Sequence, residues 1–229
     1  MPLLLALCSI SVFAQNSGKI TYEVKVNTHK HMKGEYAKYK AYVPEWHTHE
    51  KDLYFTDSTT FYKNAPLKVD AVSGATYRPP KDEAVYANLK TKISTEQKDF
   101  MGKLFLIVDT LEEYKWKVTG ESKMIQKMPC IKATYTDTND VYTVWFTPMI
   151  PVSAGPSGFN GLPGMILEGV NQDSSMIVTT VSYEKREIKK GEIELPKKGK
   201  KVTRQEFHAI VKKKMEEMNK NGGGMMIHR

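Results

Sequence analysis

The chain has 229 residues, 40% of them apolar, and a formal net charge of +8. That length fills one good core, and no apolar run is long enough for a membrane-spanning helix. The charge sits almost wholly in the last part: Glu184 to Arg229 holds 14 Lys and Arg against 7 Asp and Glu, so the body before it is nearly neutral.

Residues 1–14 read as a secretory signal peptide. Leu3-Leu4-Leu5-Ala6-Leu7 forms its apolar stretch, and Val12-Phe13-Ala14 ends on the small residue a signal peptidase needs. A basic n-region is missing from the start. Leu7 before Cys8 argues against lipid attachment, because lipoprotein processing wants a small residue there. Without the signal, Cys130 is the one remaining cysteine, so no internal disulfide is expected. Its setting alternates like a strand, and the commonest role of a free cysteine is that of a small buried hydrophobe.

Residues 15–195 read as a β domain. Lys19 to Val26 alternates apolar and polar residues with the period of a half-buried strand. Leu53–Thr56 and Thr60–Tyr62 flank Asp57-Ser58 as a hairpin. Ala84–Ile93 and Lys103–Asp109 follow, and between them Ser94-Thr95-Glu96-Gln97 fits either a link or the cap of a short helix. Five strand-like segments come next: Tyr114–Thr119, Cys130–Thr136, Val141–Phe146, Met165–Val170 and Met176–Tyr183. Short polar turns between them favour antiparallel neighbours. The expected fold is mainly β: one large curved antiparallel sheet, half-barrel-like, with a C-terminal amphipathic helix.

Residues 196–229 read as a basic linker, a helix and a flexible Gly/Met/His tail. Thr203-Arg204-Gln205-Glu206 is a capping box. Phe207, Ile210, Val211, Met215 and Met218 recur at helical spacing over about Arg204–Lys220, and Gly222 is a natural stop.

Gly161-Leu162-Pro163-Gly164-Met165-Ile166-Leu167 is the most specific local signal. Proline suits the first centre of a type II turn, and glycine accepts the positive φ of the second. Gly155-Pro156-Ser157-Gly158-Phe159-Asn160 is a second turn cluster just before it. The heptapeptide resembles the signature of the GLPGLI family, secreted and envelope proteins of Bacteroidota, with Met165 in place of a leucine. Tyr86-Ala87-Asn88-Leu89, Tyr114-Lys115-Trp116-Lys117, Pro129-Cys130-Ile131-Lys132-Ala133 and Val144-Trp145-Phe146-Thr147 extend the likeness along the chain. The resemblance implies export and a β fold; it brings no assigned activity.

Candidate chemistry lies in soft and imidazole ligands. His29-Lys30-His31-Met32 and Trp46-His47-Thr48-His49 are His-x-His units, and in an extended segment each presents two imidazoles on one face. Met225-Met226-Ile227-His228 adds a third cluster. The metal candidates are therefore His29, His31, Met32, His47, His49, Met225, Met226 and His228. Imidazole suits zinc and copper, and thioether sulfur favours copper(I). Zinc-protease, nucleophile-elbow and phosphate-loop motifs are absent from the sequence. Trp116, Trp145, Tyr142 and Phe146 on neighbouring strands fit either a core or the wall of an apolar cavity. The function expected is non-catalytic binding in the periplasm or at the outer membrane, of copper or zinc in its sharpest form. A lipid or peptide carrier with an apolar groove is the alternative, and an uncharacterised hydrolase a third. The basic C-terminal segment suits an anionic membrane surface; for an exported protein, nucleic acid is not an expected partner.

Overall fold

The computed structural model describes residues 16–32, 34–66, 83–137 and 140–220. The expected signal peptide and the Met225–His228 cluster lie outside them. Among the described residues, twelve strands form a single open sheet. In chain order they are β1 (Gly18–Asn27), β2 (Trp46–Phe55), β3 (Thr59–Asn64), β4 (Ala84–Asn88), β5 (Ile93–Phe100), β6 (Lys103–Thr110), β7 (Lys117–Ile125), β8 (Met128–Thr136), β9 (Val141–Thr147), β10 (Met165–Asn171), β11 (Met176–Lys185) and β12 (Lys200–Val202). Their order across the sheet is β12-β6-β5-β4-β3-β2-β1-β11-β10-β9-β8-β7. Eleven strands pair as antiparallel neighbours, and β12 joins β6 in parallel. The mainly β, antiparallel expectation therefore holds.

Two local expectations are corrected. Ser94–Gln97 does not cap a helix. It lies in β5, where Ser94 and Thr95 are buried and pair with Asp109 and Val108. Tertiary pairing overrides the local capping signal here. The Pro163-Gly164 corner is not a type II turn. The Gly164 N–H donates to the Leu162 carbonyl at 2.8 Å, closing a three-residue turn around Pro163. The basic linker is tied into the fold, since its end supplies β12.

Helix α2 (Arg204–Lys220) starts as its capping box requires. The Thr203 N–H donates to the Glu206 carboxylate at 2.7 Å, and the Glu206 N–H donates to the Thr203 hydroxyl at 3.2 Å. Its apolar stripe docks on the sheet, with Phe207, Ile210 and Val211 against Phe100, Phe105, Ile107 and Val202.

The sheet must curl. Only six residues, Leu111–Trp116, join β6 to β7, which stand near one edge and at the other. Ten inter-strand steps would separate them by roughly 48 Å in a flat sheet. Seven residue steps of extended chain reach roughly 25 Å. The main core lies along the middle strands and the segment that returns across the sheet, with Ile20, Tyr22, Leu53, Phe55, Ile150, Val152 and Leu167 among its members. On the opposite face of β1 and β2, Asp52 is fully buried. It accepts from the Thr21 hydroxyl at 2.7 Å and pairs with Lys19 at 3.0 Å.

Gly164 has φ 154°, and a Cβ there would overlap the Thr147 carbonyl oxygen. Gly169 has room: its Cβ would stand 3.6 Å from the Val144 methyl, an ordinary contact. Gly164→Ala is expected to cost about 2–4 kcal/mol, and Gly169→Ala less than about 1 kcal/mol. Urea unfolding of the two variants checks this, and equal midpoints would refute it.

Candidate functional site

The two histidine pairs part company in the structure. Asn27 caps the short helix α1 (Thr28–His31), its side chain accepting from the Lys30 N–H at 3.1 Å. The extended run expected for His29 and His31 is therefore a helical turn, in which residues two apart do not share a face. His29 Nε2 donates to the Val43 carbonyl at 2.8 Å. Met32 follows, half-buried, at the end of that turn.

His47 and His49 do lie on an extended strand. In β2 they stand opposite Val26 and Val24 of β1, so both project to one face. Burial first, then the positive Lys51 and the neighbouring His47, lower the His49 pKa from 6.5 to about 4. Its imidazole is neutral at pH 7 and able to bind a metal. Among the described residues, however, no group of three or more His, Cys, Asp or Glu is arranged to hold a metal ion. Cys130 is fully buried, and burial raises its thiol pKa, so it is packed as a small hydrophobe and poorly suited to attack.

The curl produces a different site. A cavity of about 1120 Å³ opens on the face where Val24 pairs with Val178, which lines it. Strands β5 and β6, α2, the turn Pro156–Phe159 and strands β8 to β11 all contribute walls. Val144, Gly169 and Val178 form an apolar floor on adjacent strands, in register with one another. Gly169 leaves space there that a larger side chain would fill.

One wall is aromatic. Tyr114, Tyr135, Tyr142 and Phe159 form a closed circuit of rings with centroids 5.0–6.2 Å apart, and Trp116 packs beside Tyr114, Tyr135 and Phe159. Trp116 Nε1 donates to the Asn160 carbonyl at 2.7 Å, and the Asn160 side-chain amide donates to the Glu112 carbonyl at 3.2 Å. These bonds fix the segment that joins β6 to β7 against the turn.

Charge is distributed unevenly around the cavity. On the helix side, Arg204 pairs with Glu96 at 3.1 Å and donates to the Thr110 carbonyl at 3.2 Å. Lys98 sits over the Phe207 ring at 5.9 Å. On the aromatic side stand Glu112, Asp137 and Asp140. The Tyr114 hydroxyl donates to Glu112 at 3.2 Å. Asp140 accepts from the Asn171 amide at 3.0 Å and the Gln172 N–H at 3.1 Å. Burial raises the pKa of Tyr142, and the negative Asp137 and Asp140 raise it further. Burial and Glu112 do the same for Tyr114. Ser157 lines the cavity with φ 55°, a left-handed backbone rarely adopted outside glycine.

Of the aromatic residues singled out in the sequence, Tyr142 reaches the cavity and Trp116 braces its wall, while Phe146 is core. Sequence reasoning missed Tyr114, Phe159, Glu112, Asp140 and Arg204 as neighbours. They come from two turns, a strand start and a helix start, and only the curled sheet assembles them.

Of the comparisons with known proteins, the one with solved structures bears on the fold. Residues 136–168 match the model of a family described as a protein of unknown function (Porph_ging). No curated protein matches the chain in sequence. Two crystal forms of PNGF-II are similar in structure. The C2 form has a TM-score of 0.58 at 17% identity, over 88% of this chain and 34% of PNGF-II. The P21 form has a TM-score of 0.58 at 16% identity, over 87% and 34%. The chain thus spans about a third of PNGF-II's length, and the likeness is one of fold.

His49 gives the site's face a pH signature. Its folded pKa of about 4 lies below the ordinary 6.5, so the unfolded chain binds more protons between those values. Stability is fully present above pH 6.5 and falls as the pH drops towards 4. In an NMR titration the His49 ring should turn over near pH 4. Replacing it with valine should flatten the urea midpoint across that window, and an unchanged slope would count against this assignment.

Proposed function

We propose that the chain is a non-catalytic binding protein of the bacterial cell envelope that holds a small organic ligand or a peptide segment in the curled sheet's cavity. The observation that carries this reading is the cavity itself. Its volume, about 1120 Å³, is just above the range of small-ligand pockets, and it joins an apolar floor to a few convergent polar groups. The mixed lining favours a peptide-like ligand over a plain acyl chain. Export from the cell and kinship with the GLPGLI family belong to the same proposal. Their support is the apolar start of the sequence and the position of Gly161–Leu167 inside the segment that matches the family model.

The neutral fluorescent probe N-phenyl-1-naphthylamine tests the cavity. Wild-type protein should bind it, and Gly169→Leu, which fills the floor, should weaken binding about tenfold or more. Equal binding by both would overturn the reading.

A second reading, copper or zinc binding, rests on His47 and His49 sharing one face of β2 with His49 neutral. Two imidazoles with water completing the shell would form a modest site. Zinc and copper(I) titrations of wild type and the His47→Ala/His49→Ala variant should differ by about tenfold or more in affinity. Unchanged affinity ends this reading for the pair.

A further inference from the structure

We infer that the ligand of this cavity is an organic cation, an ammonium or guanidinium group carried on an apolar or aromatic body. The inference rests on the cavity being a ligand site and adds the class of ligand. Three observations lead to it.

The first is sign. The protein carries +8 overall. Its cavity, by contrast, is lined by four carboxylates, Glu96, Glu112, Asp137 and Asp140, against two cations, Lys98 and Arg204, a net charge of −2. A basic protein that concentrates acid in this cavity has a local field there opposite to its overall charge. Low-dielectric walls focus that field.

The second is placement. The cations are engaged on the helix side, Arg204 with Glu96 at 3.1 Å and Lys98 over the Phe207 ring at 5.9 Å. Glu112 and Asp140 take the hydrogen bonds described above from neutral donors: the Tyr114 hydroxyl, the Asn171 amide and the Gln172 N–H. Those bonds orient the carboxylates and leave their charge in place. Arg204 also attracts Glu112, so the negative charge a cation meets on the aromatic side is chiefly that of Asp137 and Asp140, whereas an anion would have to displace the Arg204–Glu96 pair on the helix side.

The third is the aromatic wall. Tyr135 and Tyr142 stack with an interplanar angle of 21°, and Tyr114 and Phe159 close the circuit edge-on. The faces of such rings carry negative charge density and attract cations, most strongly where water is excluded. Tyr114, Tyr135, Tyr142 and Phe159 all line the cavity and offer apolar area to the body of such a ligand. Acid and aromatic faces side by side thus select for both halves of one molecule.

Displacement of N-phenyl-1-naphthylamine tests this with two matched competitors, 2-(1-naphthyl)ethylammonium and 1-naphthylacetate. The ammonium compound should compete about tenfold better or more. Its advantage should shrink in the Glu112→Gln/Asp137→Asn variant, whose two altered side chains are exposed and keep an oxygen to accept the Tyr114 hydroxyl and the Asp140 N–H. It should also shrink between roughly 0.05 M and 0.5 M salt. If the neutral probe still depends on Gly169 and the anion competes as well as the cation, the inference fails and the cavity reading stands. If the advantage survives the double variant intact, the carboxylates are not its source, and the inference fails too. If the probe ignores Gly169→Leu, both fall together.

Discussion

The short bridge Leu111–Trp116 is the constraint on which the rest depends. Without it, twelve strands in this order would form a long twisted sheet with a helix at one end. With it, the β6 side and the β7 edge must come within the reach of six residues, and the sheet has to bend around an interior. The bridge is also the place where fold and site are the same object. Leu111, Glu112 and Tyr114 line the cavity, and Trp116 is tied through Asn160 to the turn that crosses it.

Bending a sheet leaves the inner face needing more to bury than the strands alone supply, and the segment between β9 and β10 provides it. Ile150, Val152 and Ala154 are all buried along it. The segment returns through the Pro163 turn, where Gly164 passes so close to the Thr147 carbonyl that no side chain fits. A Cβ on Gly155 would likewise overlap the Ile166 side chain. The Tyr22 hydroxyl then donates to the Ile166 carbonyl at 2.6 Å, joining a middle strand to the corner. The proline-glycine motif therefore sets how deeply the returning segment sits, and so how much of the interior remains open.

Much of the fold was legible because it is written in local patterns. The alternation of Lys19–Val26, the β-branched and aromatic run Val141–Phe146 and the capping box at Thr203 each determine a local structure, and each formed. The misses have a common cause. Ser94–Gln97 carries a cap signal but is flanked on both sides by strands that demand a partner. His29-Lys30-His31 reads as extended until Asn27 folds back to cap it. The site was less legible still. Tyr135 and Tyr142 are cross-strand neighbours and could be paired from the sequence. Phe159 and Tyr114 meet them only because the sheet curls, and curl is set by topology, which no short window of sequence contains.

That origin gives the cavity a mechanical property. Its helix side hangs on β5 and β6, and its aromatic side on β8 to β10, eight strand positions away from β5 at the far end. The two sides are held together by the bridge, by Trp116–Asn160 and by ring contacts such as Tyr114–Phe159. A ligand that touches both sides adds a further tie across the same gap. Its binding energy is then partly energy for keeping the sheet curled, because any ligand that prefers the folded, curled form stabilises it by mass action. A ligand that touches one side alone still stabilises the folded form but adds no tie across that gap. The cavity's two sides, the tyrosines and Arg204, thus belong to strands far apart in the sheet that only the curl brings to one interior.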